Sequence, residues 1–228
     1  MTTTVDTFPV IDPADGVTVV GHAPAATAAQ AAEAVAAADH AFPAWAALTP
    51  QDRAALLTAA LDPLEADRPA TAEILTRENG KIRLESTIDS IVFEHRCRLA
   101  IGLADEVDRV TELPAPPYRT RIGYEPLGVV TIIVPFNWPL AILGASLAYA
   151  LVAGNTVVVK PPPTAPLATA RTVALMARGL PPGVLNVVTG ADAEIGEVLV
   201  ADPRVRKVCF TGSVGGGKRI MAMAAPIE

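Results

Sequence analysis

The sequence predicts an α/β fold, a doubly wound and mostly parallel sheet preceded by a helical segment. Three observations predict it. Val129–Val134 and Thr156–Val159 are unbroken runs rich in β-branched residues; such runs suit strands buried on both faces, as in a parallel sheet, whereas half-exposed strands alternate. From Gly128 onward, strand-like runs beginning at 129, 156, 185 and 206 alternate with helix-like segments, which implies right-handed crossovers. Asn137, Lys160 and a glycine-rich stretch lie just past the carboxyl ends of these strands, the edge at which open α/β sheets bind ligands.

In chain order, residues 1–26 carry Pro9, Pro13 and Pro24, an Asp15-Gly16 turn signal and a short strand at Val17–Val20. Thr27 and Gln30 form a capping box that opens a helix running to about Trp45. Thr49-Pro50 opens a second helix carrying Leu56, Leu57, Ala60 and Leu61, which Pro63 ends or kinks. A third helix runs from about Ala70 to a left-handed cap at Asn79-Gly80. A fourth spans about Leu84 to Val110, with Ile88, Ile91, Val92, Leu99 and Leu103 near helical spacing. Leu113–Pro117 reads as a Pro-rich linker. Tyr118–Glu125 reads as a charged strand, suited to an edge or to pairing with another subunit.

The core then follows: the strand from Val129, a loop Pro135–Pro139, an Ala/Leu-rich helical segment, and the strand ending on Lys160. Pro166–Arg178 reads as a helix, Leu185–Val188 as a strand and Glu194–Val200 as a short helix. Val205–Phe210 is a strand, Thr211–Gly217 a glycine-rich loop, and a helix opens at Lys218. The organisation expected is an arm with helices over 1–112, a linker and candidate oligomerisation strand over 113–127, and a sheet core over 128–228.

Composition excludes several classes. Half of the 228 residues are hydrophobic, enough for a substantial core. A net charge of −6 with no basic face argues against nucleic acid as a partner. No charge lies between Glu125 and Lys160, but Pro135, Asn137, Pro139 and Gly154-Asn155 cut this stretch into pieces shorter than a membrane span. The start MTTTVDTFPV lacks the features of a secretory signal. The two cysteines, Cys97 and Cys209, have no metal-ligand spacing, which fits a reducing cytoplasm.

The stretch Phe210–Lys218 follows a strand and precedes a helix, the setting in which glycines let a backbone approach a phosphate. The dinucleotide pattern G-x-G-x-x-G does not fit, because Val214 stands two residues after Gly212. The Walker pattern fits through Gly212, Gly217 and Lys218 but then meets Arg219 where Ser or Thr must hold Mg²⁺. A P-loop-like nucleotide binder is therefore a remote alternative.

Several stretches together resemble the aldehyde dehydrogenase family. Pro135–Leu140 is similar to its P-[WF]-N-[FW]-P-L loop, and Gly154–Pro161 to its G-N-T-V-V-x-K-P strand end. Leu180–Gly190 is similar to L-P-x-G-V-x-N-V-x-x-G, and Phe210–Ser213 to F-T-G-S. Glu78–Lys81 and Glu125–Val129 are also family-like.

The resemblance implies a Rossmann-like domain for NAD or NADP, with the dinucleotide crossing the sheet edge in a way that needs no G-x-G-x-x-G. It implies that Ser213 and the following N–H groups, with Gly216 and Gly217, meet the pyrophosphate. Lys160 would reach the adenosine ribose, and Gly196 would lie beside the adenine. Thr211 and Gly212 would stand toward the nicotinamide side, with Phe210 also contacting the cofactor. The loop residues Val134, Pro135 and Phe136, with Gly190, would complete the cofactor contacts. Asn137 would donate to the aldehyde oxygen as it becomes an oxyanion.

Pro163 stands where the family often has a Glu that holds the ribose hydroxyls, which leaves NADP open beside NAD. Three consecutive glycines, Gly215–Gly217, depart from the family's bulkier residues. The family's reaction needs a nucleophilic Cys and a water-activating Glu from an L-E-L-G-G motif, and neither motif occurs in the 228 residues. Cys97 and Cys209 read as packed core thiols. The expectation is the N-terminal, cofactor-binding part of an enzyme whose full-length form oxidises an aldehyde substrate and assembles as a homo-oligomer, the chain alone being inactive. The alternative is a non-catalytic dinucleotide-binding or assembly module.

Overall fold

The computed structural model describes residues 6–225. The first five residues, on which the reading of no secretory signal partly rests, and the last three lie outside the described residues. The chain opens with β1 (Thr7–Ile11) and β2 (Val19–Pro24), an antiparallel pair. Asp15 forms the turn between them, accepting the N–H groups of Val17 and Thr18 at 2.9 and 2.8 Å. The second strand starts two residues later than the composition suggests. Its partner β1 contains Pro9, which a two-stranded edge tolerates because one side of each strand needs no donor.

Helix α1 (Ala28–Ala46) has the predicted capping box: the Gln30 N–H donates to Thr27 Oγ1 at 3.3 Å and the Thr27 N–H to Gln30 Oε1 at 2.9 Å. Helix α2 (Pro50–Asn79) is one continuous element of 30 residues and not two, passing through Pro63 and Pro69 to a left-handed cap at Gly80. Both prolines lie on the exposed face. There a lost N–H bond bends a helix around its core without opening an apolar contact. The opposite face buries Leu57, Ala60, Leu61, Leu64, Ala72 and Leu75. The four buried leucines, at roughly 1.5–3 kcal/mol each, together match or exceed the two prolines' cost of about 3 kcal/mol apiece.

Helix α3 (Arg83–Ile101) ends well before Val110, followed only by the single turn α4 (Ala104–Val107). Its inward face also differs from the periodicity reading. Ile88, Ile91, Leu99 and Leu103 are exposed, while Ser86, Asp89, Ser90, Phe93, Glu94 and Cys97 are buried. The polar members can go inside because each is partnered. Asp89 meets Lys81 at 3.0 Å, Glu94 meets Arg68 at 2.8 Å, and Ser86 takes a bond from Thr76 at 2.9 Å. An apolar-inside rule has no access to those partners.

The segment read as a linker is instead a strand. β3 (Thr111–Ala115) and β4 (Tyr118–Ile122) form an antiparallel hairpin, and β4 is exposed along its whole length.

The core elements follow as β5 (Val129–Ile133), α5 (Pro139–Gly144), α6 (Leu147–Val152), β6 (Thr156–Lys160), α7 (Leu167–Ala177), β7 (Leu185–Val187), α8 (Asp192–Ala201), β8 (Val205–Phe210) and α9 (Val214–Ala224). The strands pair parallel in the order β7-β6-β5-β8. The chain therefore winds outward from β5 to β7, then returns to the other side of β5. Both faces are covered. Val130, Ile132, Val157 and Val159 join a large core with α2, α3, α5, α6 and α7. Val129 and Val158 join a second core with α1 and α8. This two-sided burial is why β5 and β6 read as unbroken apolar runs.

Candidate functional site

Three strands end side by side. In register, Ile133 is flanked by Lys160 on β6 and by Phe210 on β8. The Thr211 N–H donates to the Ile133 carbonyl at 3.2 Å, and the Val134 N–H to the Lys160 carbonyl at 3.3 Å. Beyond these ends, at the point where the winding direction reverses, lies a cleft lined by Ile133, Lys160, Asp192, Gly196, Phe210 and Gly216, with Arg219, Ile220 and Met223 of α9 on its far wall. A crevice outside the carboxyl ends of parallel strands, at a reversal of winding, is the usual ligand position of such sheets.

Lys160 is 2% exposed, a rare state for an ammonium. Its Nζ donates to the Pro161 carbonyl at 3.4 Å and forms an ion pair with the Asp192 carboxylate, at the first residue of α8. Gly196 faces the same cleft, and a Cβ there would meet nothing within 4 Å.

The glycine-rich segment is shorter as a loop than expected. Only Thr211–Ser213 is loop; α9 begins at Val214, and Gly215, Gly216 and Gly217 occupy its first turn. Ser213 is the cap, its Oγ accepting the Gly216 N–H at 3.0 Å. Two glycines answer to the Phe210 ring, since a Cβ would fall 2.5 Å from it at Gly212 and 2.9 Å at Gly216. The ring nests under the turn, and this packing with the Ser213 cap offsets the poor helix propensity of three glycines.

Other predicted residues fall elsewhere. Phe136 and Pro163 line a different and larger cavity of about 530 Å³, with Val10, Glu78, Asn79 and Ala165. Gly190 is held against Ala26, whose backbone oxygen would lie 3.1 Å from an added Cβ, so its smallness serves packing. Val134 is 3% exposed and Pro135 half-buried. Asn137 is exposed on the loop between β5 and α5.

That loop is gripped from behind by the Glu78–Asp89 region, to which no task attaches in the sequence. Asn79 Nδ2 donates to the Phe136 carbonyl. Lys81 Nζ stands 4.1 Å from the Trp138 ring centroid while pairing with Asp89. Asp89 Oδ1 accepts the Ala141 N–H at 2.6 Å, and burial still holds its pKa above the ordinary carboxylate value. The signal available in the sequence was E-N-G-K itself: polar residues at a helix end, opposite an apolar strand-loop-helix.

Two further motif pieces are architectural. Asn155 Oδ1 accepts the N–H groups of Leu127 and Gly128 at 2.7 and 3.2 Å, fastening the start of β5 to that of β6. Asn186 Nδ2 donates to the Gly183 carbonyl at 2.7 Å and closes the turn before β7. The cysteines are structural too. Cys97 is fully buried, its thiol pushed up to about 12 by burial, and Cys209 is half-buried within β8. Among the described residues no group of His, Cys, Asp and Glu could hold a metal, and no helix is long and apolar enough to cross a membrane.

Sheet order, two-sided winding and the position of the cleft define a Rossmann-like α/β domain. The sequence model of the aldehyde dehydrogenase family matches residues 1–227, and the chain belongs to that family. It is 39% identical over 200 residues to mitochondrial succinate-semialdehyde dehydrogenase of Arabidopsis thaliana, covering 85% of this chain and 37% of that protein. It is 37% identical to 1-pyrroline-5-carboxylate dehydrogenase of Bacillus subtilis (strain 168), covering 96% of this chain and 43% of the relative. Among solved structures, succinate-semialdehyde dehydrogenase from Burkholderia pseudomallei superposes with a TM-score of 0.92 at 35% identity, covering 97% of this chain and 46% of that one. Betaine aldehyde dehydrogenase from Staphylococcus aureus, crystallised in complex with NAD+, superposes with a TM-score of 0.90 at 33% identity, over 97% of this chain and 44% of that one. The chain thus spans less than half the length of these relatives.

Proposed function

We propose that this chain is the NAD(P)-binding part of an aldehyde dehydrogenase, whose full-length form oxidises an aldehyde to a carboxylic acid. The observation that carries the reading is the convergence of Lys160, Gly196, Phe210 and Gly216 on one cleft at the sheet's carboxyl edge. The residues present suit a dinucleotide. Gly196 leaves open space for a flat ring, and Lys160 with Asp192 offers a donor and an acceptor for ribose hydroxyls. The amides that open α9 suit a pyrophosphate. When bound, the cofactor supplies the hydride acceptor that aldehyde oxidation requires.

The chain's own residues bind, orient and stabilise charge. Lys160 holds the ribose end, and Ser213 shapes the turn that presents the α9 amides. Asn137 is the candidate oxyanion donor, kept in place through Asn79, Lys81 and Asp89 behind its loop. A donor aimed at developing charge is worth roughly 3–4 kcal/mol in such reactions. Neither cysteine suits a nucleophile, one being buried with a raised pKa and the other lying within a strand. These residues alone therefore bind cofactor without turnover. The exposed β3–β4 hairpin suits pairing between subunits of a homo-oligomer.

Calorimetric titration tests the reading. NAD or NADP should give saturable heat, and Mg²⁺-ATP should give none. The reverse pattern would favour the P-loop-like alternative.

A further inference from the structure

We propose that Asp192 selects the cofactor. In this proposal its carboxylate accepts the ribose hydroxyls of NAD and repels the 2′-phosphate of NADP. The inference rests on the dinucleotide reading above and adds to it a residue and a preference.

Three observations lead there. The family resemblance implies a carboxylate at position 163, but the residue there is Pro163, and it lines the other, larger cavity. A carboxylate is nonetheless in the cleft, 32 positions along the chain from Lys160, and it is the one carboxylate among the cleft-lining residues. The two partners are also unequally exposed: the Lys160 side chain is 3% accessible and that of Asp192 is 74% accessible. Both groups line the cleft, the ammonium nearly covered and the carboxylate largely open to solvent.

A ribose diol suits this arrangement. Its two O–H groups donate to Asp192 oxygens while a hydroxyl oxygen accepts from Lys160, and no ion is left without a partner. Acidic residues that hold ribose hydroxyls are the general means by which doubly wound folds favour NAD. A 2′-phosphate in the same place would bring close to two negative charges against a carboxylate. It would gain little from an ammonium that the carboxylate already neutralises. The nearby α8 carboxylate Glu194 is turned elsewhere, accepting the Ala28 N–H at 3.2 Å. Arg219 on the far wall is the group a phosphate could use once Asp192 is neutral.

The test is calorimetry on the full chain with NAD and NADP, for the wild type, Asp192→Asn and the double variant Asp192→Asn/Pro163→Glu. The wild type should prefer NAD by about tenfold or more, as expected for like charge against like. Asp192→Asn should bring the two affinities within about threefold, chiefly by strengthening NADP. Asp192→Asn removes the counter-charge of the buried Lys160, so this variant should melt below the wild type by circular dichroism while remaining folded. Pro163 faces a different cavity, so the double variant should stay as unselective as the single one.

Equal affinities in the wild type, or an unchanged ratio in Asp192→Asn, would overturn the role of Asp192 while leaving the dinucleotide reading intact. Recovery of NAD preference by the double variant would place the selecting position at 163 and overturn the proposal. Heat from neither cofactor would overturn the dinucleotide reading itself, and the proposal with it.

Discussion

Glu78 is 2% exposed, and its two carboxylate oxygens accept the N–H groups of Leu167 and Ala168 at 2.6 and 2.8 Å, capping α7 from the end of α2. Burial nevertheless pushes its pKa up to about 7 from an ordinary value of 4.5, outweighing the two N–H bonds. Between those pH values the folded chain keeps a proton that the unfolded chain has released. Stability from this group is therefore complete below pH 4.5 and lost as pH rises to about 7. Glu78→Gln removes that titration while keeping one acceptor. The wild type should lose on the order of 3 kcal/mol relative to this variant across the window, read from urea midpoints at several pH values. A constant difference would show that Glu78 titrates alike in both states. At the same scale, two family-like asparagines hold backbone together: Asn155 ties the start of β5 to that of β6, and Asn186 closes the turn before β7.

Helix α2 is the element on which sequence and structure part most clearly. Pro63 has a strong local claim to end a helix, yet the chain continues past it because the prolines face solvent and the leucines face α3 and α7. Pro63→Ala should consequently stabilise the chain by about 1–3 kcal/mol, by restoring a backbone donor within a continuous helix. A denaturant titration showing no gain would point to a break at this position. Helix α3 shows the converse. Its start was legible, but its end was not, and neither was its inward face, because buried Asp89 and Glu94 draw their partners from residues 81 and 68. The glycine-rich turn was legible as a turn. That its glycines sit inside α9, nested on Phe210, depends on a ring whose position only the fold fixes.

For the whole molecule, the apolar surface left uncovered decides solution behaviour. Leu84, Ile88, Ile91 and Leu99 form an exposed stripe along α3, and α9 has no buried residue, with Val214 79% and Met221 73% exposed. Surface of this kind drives association. The chain should elute from a sizing column larger than a monomer, in a concentration-dependent way, and Ile88→Lys with Ile91→Lys should shift it toward monomer. A wild type that stays monomeric at high concentration would count against this.

Periodicity and punctuation alone determined the α/β class, the four core strands and the cap of α1, because each leaves its pattern within a short window of residues. The glycine turn after β8 and the placing of Lys160 at a strand end were likewise legible. Tertiary structure alone decided that Lys160 and the Phe210 turn share a cleft, that Pro163 lies outside it, and that a carboxylate from α8 stands within it. Those facts depend on which strands lie side by side and where the winding reverses. Strand order is set by the burial of both sheet faces together, a property of the assembled layers that no local window of sequence contains.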